Sequence, residues 1–477
     1  MWYLMSIFIS NIKSMLTLLD SFTGNKKVFI PNDPDNVTIY ICGPTVYDDA
    51  HLGHARTYVT FDLIRRILSI LGYHTTVVMN ITDIDDKIII RSEEKNISPA
   101  ELSHMYETRF MEDMASLGVE PPNVLTRVTD HLDEIITFIQ DLIDKDYAYE
   151  KDGDIRFNLA NYSNSYNYPG FHVHETEITS DDKDFALWKS NTKGLKWKSP
   201  WGDGRPGWHI ECSAMATHIF GNKLDIHVGG IDLAFPHHAN EIAQSQARSS
   251  DTWVNTFLHT GHLSIEGQKM SKSLKNFITV REALQKYNPQ ILRMYFALHK
   301  YNSPISFSHN ELDRAKNIWD SFQSFWRKVN GLPSEIKWTE KSRSILNNLI
   351  RTKKENTIAL HDDLNLPLVI LNLTNLISLT HSFIEDNIYP IAAKMVVKYT
   401  QNLLQDLGFP VITYTNNNTD DIIQTLVDFR SDVRKSAGNK QQLYTLTDTL
   451  RNETLPKLGI KLEDQGNRSY WSLLHTQ

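Results

Sequence analysis

Cysteine is almost missing from this chain: Cys42 and Cys212 are the two in 477 residues. So small a supply excludes a disulfide scaffold and leaves two unrelated buried thiols, one disulfide, or metal ligation. A basic excess is also lacking. Lys and Arg number 49 against 57 Asp and Glu, a net charge of −8, so there is no global attraction to nucleic acid or acidic membranes. Any polyanion must be held by a local basic surface. Met1–Ser10 is not expected to act as an export signal: it is apolar, but no basic residue precedes the run, it is too short to span a bilayer, and no small-residue cleavage site follows. Met15 opens a more ordinary beginning, so residues 1–14 are expected to be an extension or a misassigned start, and the cytoplasm is the expected location. Internal repeats and long low-complexity tracts are absent. What remains is ordinary, with 41% hydrophobic and 22% charged residues, a globular composition with length for roughly three domains.

The densest chemistry lies between Arg205 and Glu241. Within that stretch Cys212 is followed by His237 and Glu241, which are four residues apart and share one face of any helix. Thiolate, imidazole and carboxylate together read as a zinc half-site that wants a fourth ligand. His238 competes with His237 for the imidazole position, since it stands at i+3 to Glu241.

Val37–Cys42 is a short apolar strand, broken by Gly43-Pro44. A helix follows from about Leu52, with Val59, Leu63, Ile67 and Leu71 on one face, and Gly72 stops it. Thr75–Ile81 is a second strand, which completes a βαβ unit of a parallel sheet whose ligands bind beyond the carboxyl strand ends, where Cys42 and Thr82 fall. Ser98-Pro99-Ala100-Glu101 opens a helix through a capping box, and another helix runs from about Leu132 to Lys145. From Tyr147 to Trp201 the pattern turns polar and strand-like, an insertion between two halves of the sheet. The second half supplies a helix through Met215, a strand at Leu224–Val228 and a helix from about Pro236. Beyond Asn276 the chain is mostly helical. The expected class is α/β: a split Rossmann-type parallel-sheet catalytic domain with an insertion, then an α-helical bundle and a small C-terminal domain. The boundaries expected are 15–125 and 201–265 for the two halves and 126–200 for the insertion. A connecting region follows at 266–307, the bundle at 308–412 and the last domain at 413–477.

Two short motifs bear on nucleotide chemistry. His51-Leu52-Gly53-His54 follows a strand and opens a helix, where unpaired N–H groups and the helix dipole favour phosphate. Alone, it reads better as solvated or capping histidines. Lys269-Met270-Ser271-Lys272-Ser273 is alone a solvated basic loop. Paired in this order across a split sheet, the two resemble the signatures of the class I aminoacyl-tRNA synthetases, with leucine in place of isoleucine in the first. Cys42–Asp48, Asn80–Lys87, Arg205–Ser213, Asp225–His227 and Phe235–His238 are similar to the cysteinyl-tRNA synthetases. So are Asp184–Lys189, Asp362–Asn365 and Gly459–Asp464. The Val228-Gly229-Gly230 run departs from that pattern, where a third glycine is usual.

The resemblance implies a zinc ion on Cys42, Cys212, His237 and Glu241. It implies ATP held by Gly43, His51, Gly53, His54, Lys269 and Lys272, the histidines and lysines being catalytic, with Mg²⁺ accompanying ATP. Thr82, Trp208 and His227 would line a cysteine pocket, and the helical region would bind tRNA, with Tyr470 and Trp471 as candidates for stacking on anticodon bases. The implied activity is ATP-dependent cysteine–tRNA ligation by a monomer, with L-cysteine, ATP and tRNA as partners and no membrane. Two rivals are a cysteine ligase that uses the same core on a small amine, and a non-catalytic tRNA- or zinc-binding paralogue.

Overall fold

The computed structural model describes residues 16–169, 184–190, 195–250, 252–269, 277–331, 338–384 and 390–410. Beyond these it describes 427, 430, 433, 444, 447–457, 460–465 and 468–473. The chain forms two compact units, residues 1–315 with 355–370, and 316–354 with 371–477.

In the first unit β1 (Thr17–Asp20) and β2 (Asn25–Val28) form an antiparallel hairpin. Next come β3 (Val37–Ile41), helix α1 (Leu52–Ile70), β4 (Thr75–Ile81), α2 (Pro99–Ser116) and β5 (Val124–Arg127). Helix α3 (Leu132–Asp144) leads into β6 (Ala148–Lys151), β7 (Asp154–Phe157), β8 (Ala186–Ser190) and β9 (Gly204–Pro206). The second half follows as α4 (Trp208–Phe220), β10 (Leu224–Gly230), α5 (Ala239–Ser249) and β11 (Val254–Thr260).

The central sheet has the order β11-β10-β3-β4-β5, and every pair in it is parallel. The connection reverses direction between β3 and β10, so the carboxyl ends of these two strands open the crevice where such sheets take ligands. Strand β10 is buried along its whole length, as expected where both faces of a parallel strand are covered. Capping starts α1 and α2. Ser98 and Glu101 cap one another's backbone at α2, with Pro99 in the first turn.

The expectation of one apolar face on α1 proves too narrow. Besides Leu52, Val59, Leu63 and Ile67, the helix buries Arg56 and Asp62, because the chain around 289–303 lies over its other side. Arg56 donates to the carbonyls of Lys300 (2.8 Å) and Tyr301 (3.0 Å), and Arg293 pairs with Asp62.

The insertion folds as its own antiparallel sheet, β6-β7-β8-β9. Strand β9 pairs with β8 through Trp188 and Pro206, which carries this sheet past residue 200. The motif Asp362–Asn365, expected within the bundle, packs in the first unit instead. Asp363 Oδ1 accepts from Leu19 N at 2.8 Å and from the Tyr301 hydroxyl at 2.8 Å.

After β12 (Leu263–Ile265), β13 (Gln268–Lys269) and β14 (Ile305–Phe307) come four long helices. They are α6 (His309–Asn330), α7 (Glu340–His361), α8 (Leu366–Ile384) and α9 (Pro390–Asp406). Helix α8 is long and apolar enough to cross a membrane, yet Val369, Ile370, Leu373, Leu376 and Ile377 along it are buried, as in a bundle core. In the second unit Trp326 Nε1 donates to Thr400 Oγ1 at 2.9 Å. A hairpin of β15 (Ile460–Gln465) and β16 (Arg468–Leu473) follows. Trp471, considered for base stacking, sits against a small core of Val427, Leu455 and Leu462. The expected extension 1–14 lies outside the described residues.

Candidate active site and metal centre

Adjacent parallel strands bring their carboxyl ends together whatever their separation in sequence, and here that places the chemistry. Cys42 follows β3 and donates its N–H to the Val228 carbonyl of β10 at 3.1 Å. His227 lies in β10 opposite Tyr40, and His259 lies in β11 opposite Gly229. Cys212 comes from the first turns of α4, and Glu241 from the first turn of α5. Regular helix begins only at Ala239 rather than at Pro236: Phe235 is extended (φ −137°, ψ 133°) and His237 and His238 form the turn ahead of α5. The i,i+4 relation survives this, with His237 Nε2 at 2.8 Å from Glu241 Oε1.

Cys42, Cys212, His237 and Glu241 are all buried, and one ligand atom from each falls within 4.8 Å of the others; Cys42, His227, His238 and Glu241 meet the same condition. The two sulfurs are 3.8 Å apart and both thiols are free. Glu241 divides its oxygens, Oε1 toward His237 and Oε2 toward His227 Nε2 at 2.7 Å. Cys42 Sγ is 3.3 Å from His238 Nε2, and His238 Nδ1 meets His259 Nε2 at 2.8 Å. His209 Nδ1 meets His237 Nδ1 at 3.0 Å, and the half-exposed Trp208 ring stacks on His237 with centroids 4.5 Å apart.

The electrostatics divide these groups. The hydrogen bond from Cys42 draws Cys212 down to about 6, while burial pushes the Cys42 thiol well up. Burial opposes the charge on Glu241, but His227 and His237 outweigh it and hold the carboxyl at about 2. Burial likewise opposes a charged His237, yet Glu241 and Cys212 raise it to about 10. His209 and His259 fall to about 3, and His238 well below its ordinary value, through burial and neighbouring imidazoles. His209, His238 and His259 are thus neutral, the state in which histidine orients a metal site, whereas His237 holds a proton between Glu241 and Cys212 that metal ligation would displace.

The helix that starts at His51 reaches this cluster through Tyr58, whose hydroxyl donates to the Cys42 carbonyl at 3.1 Å. His51 is the N-cap of α1, and its Nδ1 accepts from His54 N at 3.3 Å; His54 Nδ1 accepts in turn from His51 N at 3.3 Å. The rings stack at 3.8 Å. With Nδ1 an acceptor, a neutral ring carries its proton on Nε2, the tautomer that donates to a phosphate oxygen. Burial and His51 together hold His54 neutral, well below its ordinary pKa. Gly53 is the second residue of the helix.

Thr82 is buried, and a polar chain runs through it. Gly43 N donates to Asn80 Oδ1 (2.9 Å), Asn80 Nδ2 to Thr82 Oγ1 (3.3 Å), and the Thr82 hydroxyl to Glu211 Oε2 (3.1 Å). Gly43 is the residue this approach requires, since a Cβ there would lie 1.5 Å from the Asn80 carbonyl oxygen. Lys269 lies at the end of β13, paired with Ser264, whereas Lys272 is outside the described residues. Asn80, His209 and Glu211 lie in runs that carried the resemblance but were given no role, and His259 went unmarked. Only the parallel register of β10 and β11 could have pointed to His259, and the spacing of one turn from Trp208 to Glu211.

Residues 28–317 match the family model of the class I (C) tRNA synthetase catalytic domain. A cysteine–tRNA ligase of Encephalitozoon cuniculi is 40% identical, covering 95% of this chain and 98% of its own length. The chain belongs to the cysteine–tRNA ligases, within the class I synthetases. A cysteine–tRNA ligase of Thermococcus onnurineus is 37% identical over 96% of this chain and 98% of its own. The cytoplasmic cysteine–tRNA ligase of Dictyostelium discoideum is 38% identical over 94% of this chain and 76% of its own. Among solved structures, Mycobacterium tuberculosis methionyl-tRNA synthetase with methionyl-adenylate superposes with a TM-score of 0.60 at 12% identity, over 87% of this chain and 91% of that one. Thermus thermophilus arginyl-tRNA synthetase gives 0.55 at 12%, over 86% of each. At such identity these two show the shared class I fold.

Proposed function

We propose that this chain is an ATP-dependent ligase that activates L-cysteine as its adenylate, releases pyrophosphate, and transfers cysteine to the 3′ end of its tRNA. The observation that carries this reading is the meeting of a buried two-thiol, histidine and carboxylate cluster with the His51–His54 helix start, at one end of one parallel sheet.

The donor set favours zinc on Cys42, Cys212, His237 and Glu241. Two thiolates about 2.3 Å from a tetrahedral zinc stand about 3.8 Å apart, the separation found between these sulfurs. The alternative set, Cys42, His227, His238 and Glu241, has one sulfur and two imidazoles, a harder environment. In this assignment His227 orients Glu241 through Oε2, and His209 and His259 position His237 and His238. When bound, zinc would supply a soft Lewis acid that lowers the pKa of a thiol and prefers sulfur to the hydroxyl of serine.

The chain's own residues do the rest by positioning. Trp208, stacked on His237, walls the pocket. Thr82 and the Gly43 backbone define its floor. His51 and His54 donate from Nε2 to phosphate oxygens, and Lys269 and Lys272 bring positive charge to the α-phosphate as the cysteine carboxylate attacks it; Mg²⁺ accompanies ATP. No protein nucleophile is needed, so catalysis rests on alignment and charge stabilisation. The second unit would hold the tRNA. Cysteine-dependent ATP–pyrophosphate exchange tests the reading: metal-replete protein that exchanges no pyrophosphate with cysteine would refute it. Charging of purified tRNA then separates a tRNA ligase from a ligase of small amines.

A further inference from the structure

A cavity of about 300 Å³ lies inside the first unit, between the central sheet and the layer made by α1 and α2. Its floor follows from strand register. Ile41 stands between Val228 of β10 and Met79 of β4, and Ile39 stands beside Val77, so these five side chains form two rows on one face of the sheet. Tyr58 and Phe61 of α1 roof it together with Phe110 and Met114 of α2. The mouth lies at the turn after α2, where Ala115 and Pro121 are exposed.

Successive residues of a strand face opposite ways, and this separates the cavity from the metal cluster. Val228 lines the cavity, whereas His227, one residue before it, meets Glu241. Ile41 lines the cavity, whereas Cys42, one residue after it, turns its sulfur to Cys212. On α1 the lining begins at Tyr58, one turn beyond His54. None of the residues assigned to metal, cysteine or ATP takes part in it.

Protein interiors hold few voids larger than a water molecule, and an apolar one of this size stays dry and accepts apolar ligands. The charged residues of the lining are Asp62, Arg65 and Glu120, and the protein already engages each of them. Asp62 pairs with Arg66 and Arg293, Arg65 donates to the Pro121 carbonyl at 2.8 Å, and Glu120 pairs with Arg66 at 3.0 Å. The Tyr58 hydroxyl is engaged by the Cys42 carbonyl. An ion would therefore find no counter-charge there. The walls offer instead aromatic rings, with Tyr58 and Phe110 edge to face at 5.0 Å, and the thioethers of Met79 and Met114, which suit an aromatic guest. We propose that this cavity is a second ligand site, which binds a neutral aromatic molecule on the face of the sheet opposite the metal cluster. Two fused rings are the size that fits, since ligand pockets run from about 300 to 1,000 Å³ and this one stands at the lower end.

Naphthalene is the probe and 2-naphthoate its charged counterpart, with binding to metal-replete protein read by ligand-observed NMR. Naphthalene should bind with a Kd of about 10–100 μM. The naphthoate should bind about tenfold more weakly or worse, because its carboxylate finds no partner. An excess of cysteine and ATP should leave the naphthalene Kd within about threefold, below the range of coupled sites. Val77→Phe fills the cavity from its floor, and Val119→Trp, at a half-buried position, closes it at the mouth. Each should weaken naphthalene binding about tenfold or more, and either carries the test alone if the other does not fold. No binding by wild-type protein, displacement by cysteine and ATP, equal affinity for the naphthoate, or undiminished binding in the folded variants would each overturn the proposal. None of these outcomes bears on the ligase reading, which the exchange assay decides separately.

Discussion

Cys42 stands at the end of β3 with its backbone still in the sheet and its sulfur in the cluster. Replacing it by serine keeps the shape and hydrogen bonding but substitutes a hydroxyl that neither ionises readily nor suits a soft metal. Cys42→Ser should therefore bind less than half a metal ion per chain and lose cysteine-dependent exchange at least ~100-fold, by metal analysis and exchange on the same sample. A variant with full metal and wild-type exchange would remove Cys42 from the ligand set. One residue on, the constraint is space rather than charge. A methyl group on Gly43 would strike the Asn80 carbonyl, a backbone atom that cannot swing aside. Gly43→Ala should cost ~2–3 kcal/mol of stability through this overlap and lower cysteine activation as the chain to Glu211 is pushed out of line; thermal unfolding and exchange read the two effects separately.

At the scale of the element, the start of α1 gives His51 and His54 a capping duty, and the proposed function gives the same two histidines a chemical one. Removing the cap with His51→Ala should cost ~1 kcal/mol. Asparagine caps as well as any residue, so His51→Asn should stay within ~0.5 kcal/mol of wild type in unfolding while exchange falls on the order of 10²-fold. Equal exchange in His51→Asn and wild type would reduce His51 to a cap. This helix was legible in sequence because its signals are local: apolar spacing, a strand end before it and Gly72 after it. The same holds for β3 and β4, whose residues match the expected runs, and for the capping box at Ser98. What was not legible depends on pairing between distant segments. Burial of Arg56 follows from the chain around 289–303, and placement of His259 follows from the register of β10 against β11. The extent of the insertion follows from β9 joining β8, and the place of Asp363 from its bond to Leu19. Of the candidate site, the thiol, imidazole and carboxylate types were visible at once, whereas the ring of supporting histidines needed the sheet.

Considered whole, the first unit has a sheet made from two stretches of chain separated by the insertion, with β3 against β10 at the seam. The candidate metal cluster sits on that seam, and in the set proposed above Cys42 comes from the first half and Cys212, His237 and Glu241 from the second. An ion held there ties the halves by its ligands as well as by the strand pairing. Binding to the folded state alone stabilises by about 4 kcal/mol when free metal exceeds its dissociation constant 1,000-fold. At roughly 2 °C per kcal/mol for a unit of this size, removal of the metal should lower the unfolding temperature by about 8 °C, and stoichiometric zinc should restore it. Cys42→Ser should show little of this difference, since its halves share no ion. A stripped wild-type protein that melts with the loaded one, at full metal occupancy beforehand, would mean that the cluster selects substrate without fastening the fold.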